Sequence, residues 1–547
     1  MGVLRAGPKT EPPSGPSSGQ AAGPDAAPSQ ANAARRRWIG VAGFVVAAAL
    51  LFAAYLRLSR TLPENSDQAN ILLVASDLLH GNLLLHGWYL TDVSFYTTEL
   101  PQYALLEVFF GVHANTAHVA AAMTYTVVVL LAVLLARGGF TSRPALARLL
   151  IAAGILLAPQ LSVGVKPLIL TVGHIGTAVP VMLIFLLLDR APARWWVPAL
   201  VALGLAWVLI ADDLVLIVGV VPLAAVCFLR IVEAAVRERS VSRGVRARWY
   251  ELSLVVAAGA AAGIAWVAER VLRALGGYIL NPIPFRFTLH DIPANLHSLW
   301  AVPQIFGADY RGLTGAAFAA AALHWVSLTL VVVALLLVAW RFFAGAVLVD
   351  QVLAVAIVAN IVLFVVTSAG SEGPHEIAVV APFGAALAAR MLTGLRIRAR
   401  VRAVAYGVGV VVLAGYVAGL MHEAVQPASP PAYAPLASWL QAHHLRYGLG
   451  GYWESSIITV QTDGQVTVRA LLKDTVGPDL WLAKPEWYDP ATQRANFIVL
   501  SSTPGFTSNW EPRALISKYF GHPARTYNFG PYTVMVWNKN LLADVPR

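Results

Sequence analysis

Cysteine is almost missing: the 547 residues hold one, Cys227. No disulfide can form within the chain, and a cysteine-based metal site is excluded. Lysine is scarce as well. Six of the 39 basic residues are Lys and the rest are Arg, which points to a GC-rich genome and not to a chemistry. Charge as a whole is thin, at 12% of residues, where soluble domains average about 25%. A soluble protein so short of charge would expose apolar surface that it cannot cover. Hydrophobic residues fill the gap, at 58%, with a mean hydropathy of +0.65. The chain reads as a polytopic α-helical membrane protein. A cytosolic enzyme, a nucleic-acid binder and a disordered scaffold are excluded. The net charge of +10 would suggest nucleic acid in a soluble domain; here it follows from the positive-inside bias.

Residues 1–34 are rich in Pro, Gly, Ser and Ala and contain no aromatic residue. Such a segment cannot bury enough surface to fold. With Arg35-Arg36-Arg37 it makes a disordered cytoplasmic tail, 1–37. About eleven spans are expected over 38–421, near 38–58, 116–136, 148–165, 168–188, 195–211, 214–230, 251–273, 314–340, 346–366, 377–392 and 403–421. Most are about 20 residues long, the length that crosses a ~30 Å hydrocarbon core. Arginines gather in alternate connections, 230–248 and 390–402 above all. That alternation puts the N-terminus in the cytoplasm of a multi-pass plasma-membrane protein. Long loops at 59–115 and 276–313 then lie outside, and so does the tail, 422–547. The tail reads as a small α/β domain. Its helices are expected at 435–446 and 511–520, and its strands at 465–471, 497–500 and 532–537.

The first outer loop carries the chemistry. Asn65 or Ser66 is placed to cap a helix, with Gln68 as the partner of a capping box, and Gly81-Asn82 stops it. Asn70 and Asp77 are seven apart and share a face, and Asp67 lies within about 80° of them. Asp67 has two readings, a catalytic base or a helix-capping acid. Asp92 and Glu99 follow among Trp88, Tyr89, Phe95, Tyr96 and Tyr103. These aromatics suit the interface belt or the faces of sugars.

A first span, an outer loop opening on an Asp, many further spans and an outer C-terminal domain together resemble the GT-C superfamily of membrane glycosyltransferases. The match is carried by Ser66-Asp67 and by Ala75-Ser76-Asp77-Leu78-Leu79-His80-Gly81-Asn82. The tail, with Gly451-Tyr452-Trp453-Glu454, resembles tails of actinobacterial relatives. The resemblance implies a polyprenyl-phosphate sugar as donor and an extracytoplasmic hydroxyl acceptor on a glycan, lipid or protein. It also implies Asp67 as the base. Many members carry a second acid in the next outer loop, where this chain offers Lys166 and His174. No cofactor beyond the lipid-linked sugar is implied, no metal ligand is assigned, and divalent-metal dependence stays open.

Ionisable groups at membrane depth suggest function by default. Lys166, His174 and His375 are the candidates for the donor phosphate, through charge-assisted contacts. Asn70, Asp77, Asp92, Glu99 and Glu376 are the candidates for the acceptor cavity. Asp212-Asp213, at the outer end of a span, has two readings, a substitute for that second acid or a solvated turn, and the turn is the favoured one. Two competing functions remain, a transporter or flippase and a non-catalytic envelope-assembly scaffold. The first usually shows repeats and paired broken helices, and the sequence has neither.

Overall fold

The structure, a computed structural model, describes residues 30–139, 143–159, 165–170, 172–282, 286–287, 290–395, 398–502 and 509–546. The expected N-terminal tail therefore lies largely outside the described residues. The chain divides into two units, 1–50 and 51–547. In the first, the described residues open the helix Gln30–Arg60.

Among the described residues, eight helices are long and apolar enough to cross a bilayer: Trp38–Arg60, Ala114–Arg137, Leu216–Arg237, Trp249–Ala274, Gly315–Arg341, Leu348–Val366, Pro374–Leu392 and Ala399–Ala424. Their composition and the fold described below make this a multi-pass membrane protein. The other three expected spans correspond to shorter helices, Arg143–Leu157, Ala178–Arg190 and Val197–Leu209. Helices of 13 residues rise about 20 Å, less than the ~30 Å core. Two of the three stop short at polar turns, 172–177 and 210–215, which hold His174 and Asp212.

One end of the bundle is tied by arginine. Arg390 is buried and bonds Asp189 at 2.9 Å and Asp350. Arg148 donates to the Thr393 hydroxyl at 2.8 Å, and Arg230 lies 3.4 Å from Glu251. Buried ions must be paired to be tolerated, and these pairs lock neighbouring helices in register.

The loops and the tail gather at the opposite end. Strand β1 (Tyr89–Leu90) pairs in parallel with β2 (Ile279–Leu280), and Tyr89 also bridges to Ala483 of the tail. The tail holds a six-stranded sheet: β3 (Tyr447–Gly450), β4 (Thr467–Ala470), β5 (Phe497–Ser502), β6 (Asn509–Trp510), β7 (Arg525–Phe529) and β8 (Tyr532–Val536). The order is β4-β3-β5-β8-β7, with β6 on β5. Helices Ala434–Ala442 and Arg513–Phe520 match the two expected from the sequence. The packing does not respect the boundary at 422. Leu72, Trp88 and Leu100 of the first loop share one core with Leu436, Ile458 and Phe497 of the tail.

Strand β3 carries two glycines, and one of them is forced. A Cβ at Gly448 would run into the Phe497 ring of the neighbouring strand, and Phe497 is fully buried. Gly448→Ala should destabilise the protein by about 1–3 kcal/mol through overpacking. A melting temperature in detergent equal to wild type would refute this packing.

Candidate active site

The helix Ser66–Leu79 begins as its sequence dictates. Asn65 accepts from the Asp67 amide, and Gln68 reaches back to the Asn65 amide at 2.8 Å, completing a capping box. Asn65 is therefore the cap, and the capping role considered for Asp67 is taken. The Asp67 carboxylate instead accepts the Tyr452 hydroxyl of the tail at 2.7 Å. Asn70, one turn further on, donates to the same Tyr452 oxygen at 3.2 Å. Ser66 bonds the Trp453 carbonyl at 3.1 Å. The helix face predicted to look into a cavity thus meets the 3-10 turn Tyr452–Glu454.

Asp67 is half-buried, with protein packed round it. Burial raises its pKa; the Tyr452 hydroxyl, the charge of His375 and Asn65 pull it back, and the net shift is upward. A carboxylate held this way is more basic than one in water, which suits proton abstraction near neutral pH.

His375 links Asp67 to a second polar group. It sits on the turn Pro374–Ile377, 3.3 Å from the next residue's carboxylate, Glu376. Its ring lies parallel to that of His174, with centroids 6.2 Å apart and planes 9° apart. His174 Nδ1 lies 2.8 Å from Asp212, and Nε2 lies 3.6 Å from Glu376. Burial alone would depress the His174 pKa. Asp212 and Glu376, one beside each ring nitrogen, outweigh it and hold the pKa well above its usual value. Asp212 also accepts the Thr177 hydroxyl and, at 2.9 Å, the Leu214 amide. It is 2% exposed. The expectation of a solvated Asp212-Asp213 turn is therefore wrong at Asp212. Residues 94 and 95 close over this corner by donating their amides to the Ala211 carbonyl. The π-helical stretch Leu216–Val220 starts just beyond, a distortion frequent at functional sites.

The structure divides the other candidates. Asp92 joins the polar group: burial raises its pKa and the charge of His174 opposes. Lys166 is half-buried on the short helix Val165–Ile169, which packs against the turn of His375 and Glu376. Glu99 is buried against Gly176, where a Cβ would collide with its carboxylate. Asp77 stands apart as a joint between loop and tail. Its Oδ2 accepts from Trp88 Nε1 at 2.7 Å and Asn82 at 2.7 Å, and meets Lys484 Nζ at 2.8 Å. Tyr452 is the site member not predicted from the sequence, and Asp212 is one that the sequence offers only as the less favoured of two readings. A tyrosine beside Trp453-Glu454 in a tail gives no local signal of a partner 385 residues away. Among the described residues no group of three or more His, Cys, Asp or Glu side chains is arranged to hold a metal ion.

No family model matches the sequence, and no curated protein matches it. Solved structures do match. ArnT from Cupriavidus metallidurans bound to undecaprenyl phosphate aligns with a TM-score of 0.55 and 13% identity, over 93% of this chain and 99% of that one. The same protein in its apo state gives 0.55 and 13%, over 93% and 100%. The Archaeoglobus fulgidus oligosaccharyltransferase in complex with Zn and sulfate aligns less well, with a TM-score of 0.47 and 13% identity, over 91% of this chain and 73% of that one. At this identity the likeness concerns architecture, and it extends over nearly the whole of ArnT: the chain shares the fold of that protein.

Proposed function

We propose that the protein is a membrane glycosyltransferase that moves a sugar from a polyprenyl-phosphate donor to a hydroxyl acceptor on the extracytoplasmic side. One observation carries this: Asp67, hydrogen-bonded to Tyr452, lies within the field of His375, whose ring stacks on that of His174 held between Asp212 and Glu376. The fold, shared with a protein solved with undecaprenyl phosphate, supplies the donor class. The acceptor oxygen attacks the anomeric carbon, and its proton passes to Asp67. The bond from that carbon to the phosphate oxygen breaks, and polyprenyl phosphate leaves with the electron pair.

His375 is the group placed to meet the phosphate, since its side chain is 38% exposed against 7% for His174. Both nitrogens of His174 face carboxylates, so its part is to fix Asp212 and Glu376 and to lend charge from beneath. Lys166 adds a second cation from the neighbouring helix. The loops and the tail lie outside and the arginine-tied end faces the cytoplasm, in accord with the positive-inside bias.

The test is binding and turnover by the purified protein in nanodiscs. A labelled polyprenyl-phosphate sugar should be converted to free polyprenyl phosphate only when acceptor-bearing envelope extract is present. Lys166→Met and His375→Gln should each weaken polyprenyl phosphate binding about 10- to 100-fold, the worth of ~1.5–3 kcal/mol for a hydrogen bond to a charged group. Unchanged affinity in both variants, with no donor consumed, would leave a scaffold or a flippase as the better account.

A further inference from the structure

Glu99 has no role in the transfer step as written, yet its burial in the first loop is demanding. It is 5% exposed, and neither carboxylate oxygen has a well-formed hydrogen bond. An unpaired buried carboxylate is costly, and here burial pushes the group up to about 7, with the nearby Asp212 adding to the rise and Thr98 opposing it. Such a group waits for a partner. It lines a cavity of about 310 Å³ whose other walls include Thr97, Gln102, Thr124, Val179 and Trp207. That volume lies at the lower end of small-molecule sites, ~300–1,000 Å³.

The cavity has two characters. Its polar part is Glu99 with Thr97, Gln102 and Thr124, where Thr124 donates to Gln102 Oε1 at 3.0 Å and Gln102 donates to the Ala120 carbonyl at 3.0 Å. Its apolar part comes from the helices Ala114–Arg137, Ala178–Arg190 and Val197–Leu209. Trp207 lines it with half its surface open, and Leu203 and Leu200 on the same helix are exposed too. In a bilayer that surface faces lipid. The inner wall is Gly176, next to the Thr177 that bonds Asp212, so the cavity backs onto the polar group. None of the lining residues is Lys, Arg or His. A phosphate head would meet no cation there and would meet the Glu99 carboxyl. Hydroxyl groups fit: a carboxyl near neutrality accepts from them when ionised and also donates to them when protonated.

We propose that this cavity, with Glu99 at its polar part, binds the hydroxyl-bearing head of an uncharged bilayer lipid whose chain lies along the exposed apolar wall. Binding of such a lipid follows from the cavity and from the membrane setting. That it is the acceptor class of the transfer rests additionally on the glycosyltransferase reading.

The test uses the full-length protein in nanodiscs with a photoreactive diacylglycerol, mapped by mass spectrometry. Saturable labelling is expected on the segments holding Thr97–Gln102 and Met123–Val127. Unlabelled diacylglycerol should compete and phosphatidic acid of the same chains should not. Val127→Trp, which fills the cavity, should cut the labelling at least about tenfold; Leu336→Ala, exposed on Gly315–Arg341, a helix that gives no residue to the cavity, should leave it unchanged. Equal competition by phosphatidic acid or by an ammonium-headed lipid overturns the proposal without any variant. So does labelling spread evenly over the exposed helices, or full labelling in a folded Val127→Trp protein. Labelling that behaves as expected while no sugar is transferred would retain the site and reject the enzyme.

Discussion

Asp67→Asn should slow sugar transfer at least ~100-fold, the lower bound typical for losing a general base, while donor binding persists. The structure makes this substitution a clean one. Asn65 caps the helix, so the cap is untouched, and an amide oxygen at position 67 can still accept the Tyr452 hydroxyl. Stability should hold or rise. The folded-state pKa of Asp67 is raised, so between its unfolded and folded values the native state binds more protons than the unfolded one. Its contribution to stability therefore declines as pH rises through that window, and an uncharged Asn escapes the decline. The activity profile carries the same signature. The acidic limb of kcat should lie above the ordinary carboxylate range in the wild type. In Tyr452→Phe it should move higher still, because a hydrogen bond that favours the ionised form is gone. Near-normal transfer by purified Asp67→Asn protein, or a Tyr452→Phe limb displaced downwards, would remove Asp67 as the base.

His174→Gln should cost about 3–5 kcal/mol of stability near neutral pH, the usual cost of stripping one partner from a buried ion group. Two carboxylates, Asp212 and Glu376, are left facing each other without their cation. The pH dependence has a definite sign. A histidine with a raised folded-state pKa gives stability that is fully present below its unfolded pKa and fades as pH rises through the folded one. The wild type should therefore lose thermal stability on the alkaline side, and the variant should start lower and lack that particular decline. Melting curves of both proteins in detergent across the alkaline range decide the matter. A His174→Gln protein that melts like wild type at neutral pH would mean that the ring is not holding those carboxylates together.

Local chemistry made part of this molecule legible. The capping box Asn65–Gln68, the stop after Leu79 and the three expected tail strands, half of the six present, appear where sequence signals put them, because each is set within a few residues. Long-range packing hid the rest. Asp212 follows a helix and precedes another Asp, the ordinary look of a wet turn; it is buried because residues 94 and 95 fold over it from the first loop. Strand β3 was missed because Gly448 and Gly450 weaken a strand signal, and one of them is there only to admit Phe497. Asp77 shares its helix face with Asn70 as expected, but that face meets the tail, and Lys484 turns Asp77 into an anchor. The three short helices lost their spanning length where, in two cases, their ends unwind into the turns of His174 and Asp212. The demands of the site there override the simple counting of apolar residues.

The clasp between Asp67 and Tyr452 also sets a clock on biosynthesis. The two residues are 385 positions apart. At roughly 5–20 residues per second, about 20–80 s pass between the ribosome adding the carboxylate and adding its hydroxyl partner. During that interval the apolar face of the first loop, Leu72, Trp88 and Leu100, waits for tail residues not yet made. The nascent protein is an inserted bundle with an unfinished centre, and the domain synthesised last is the one that completes it.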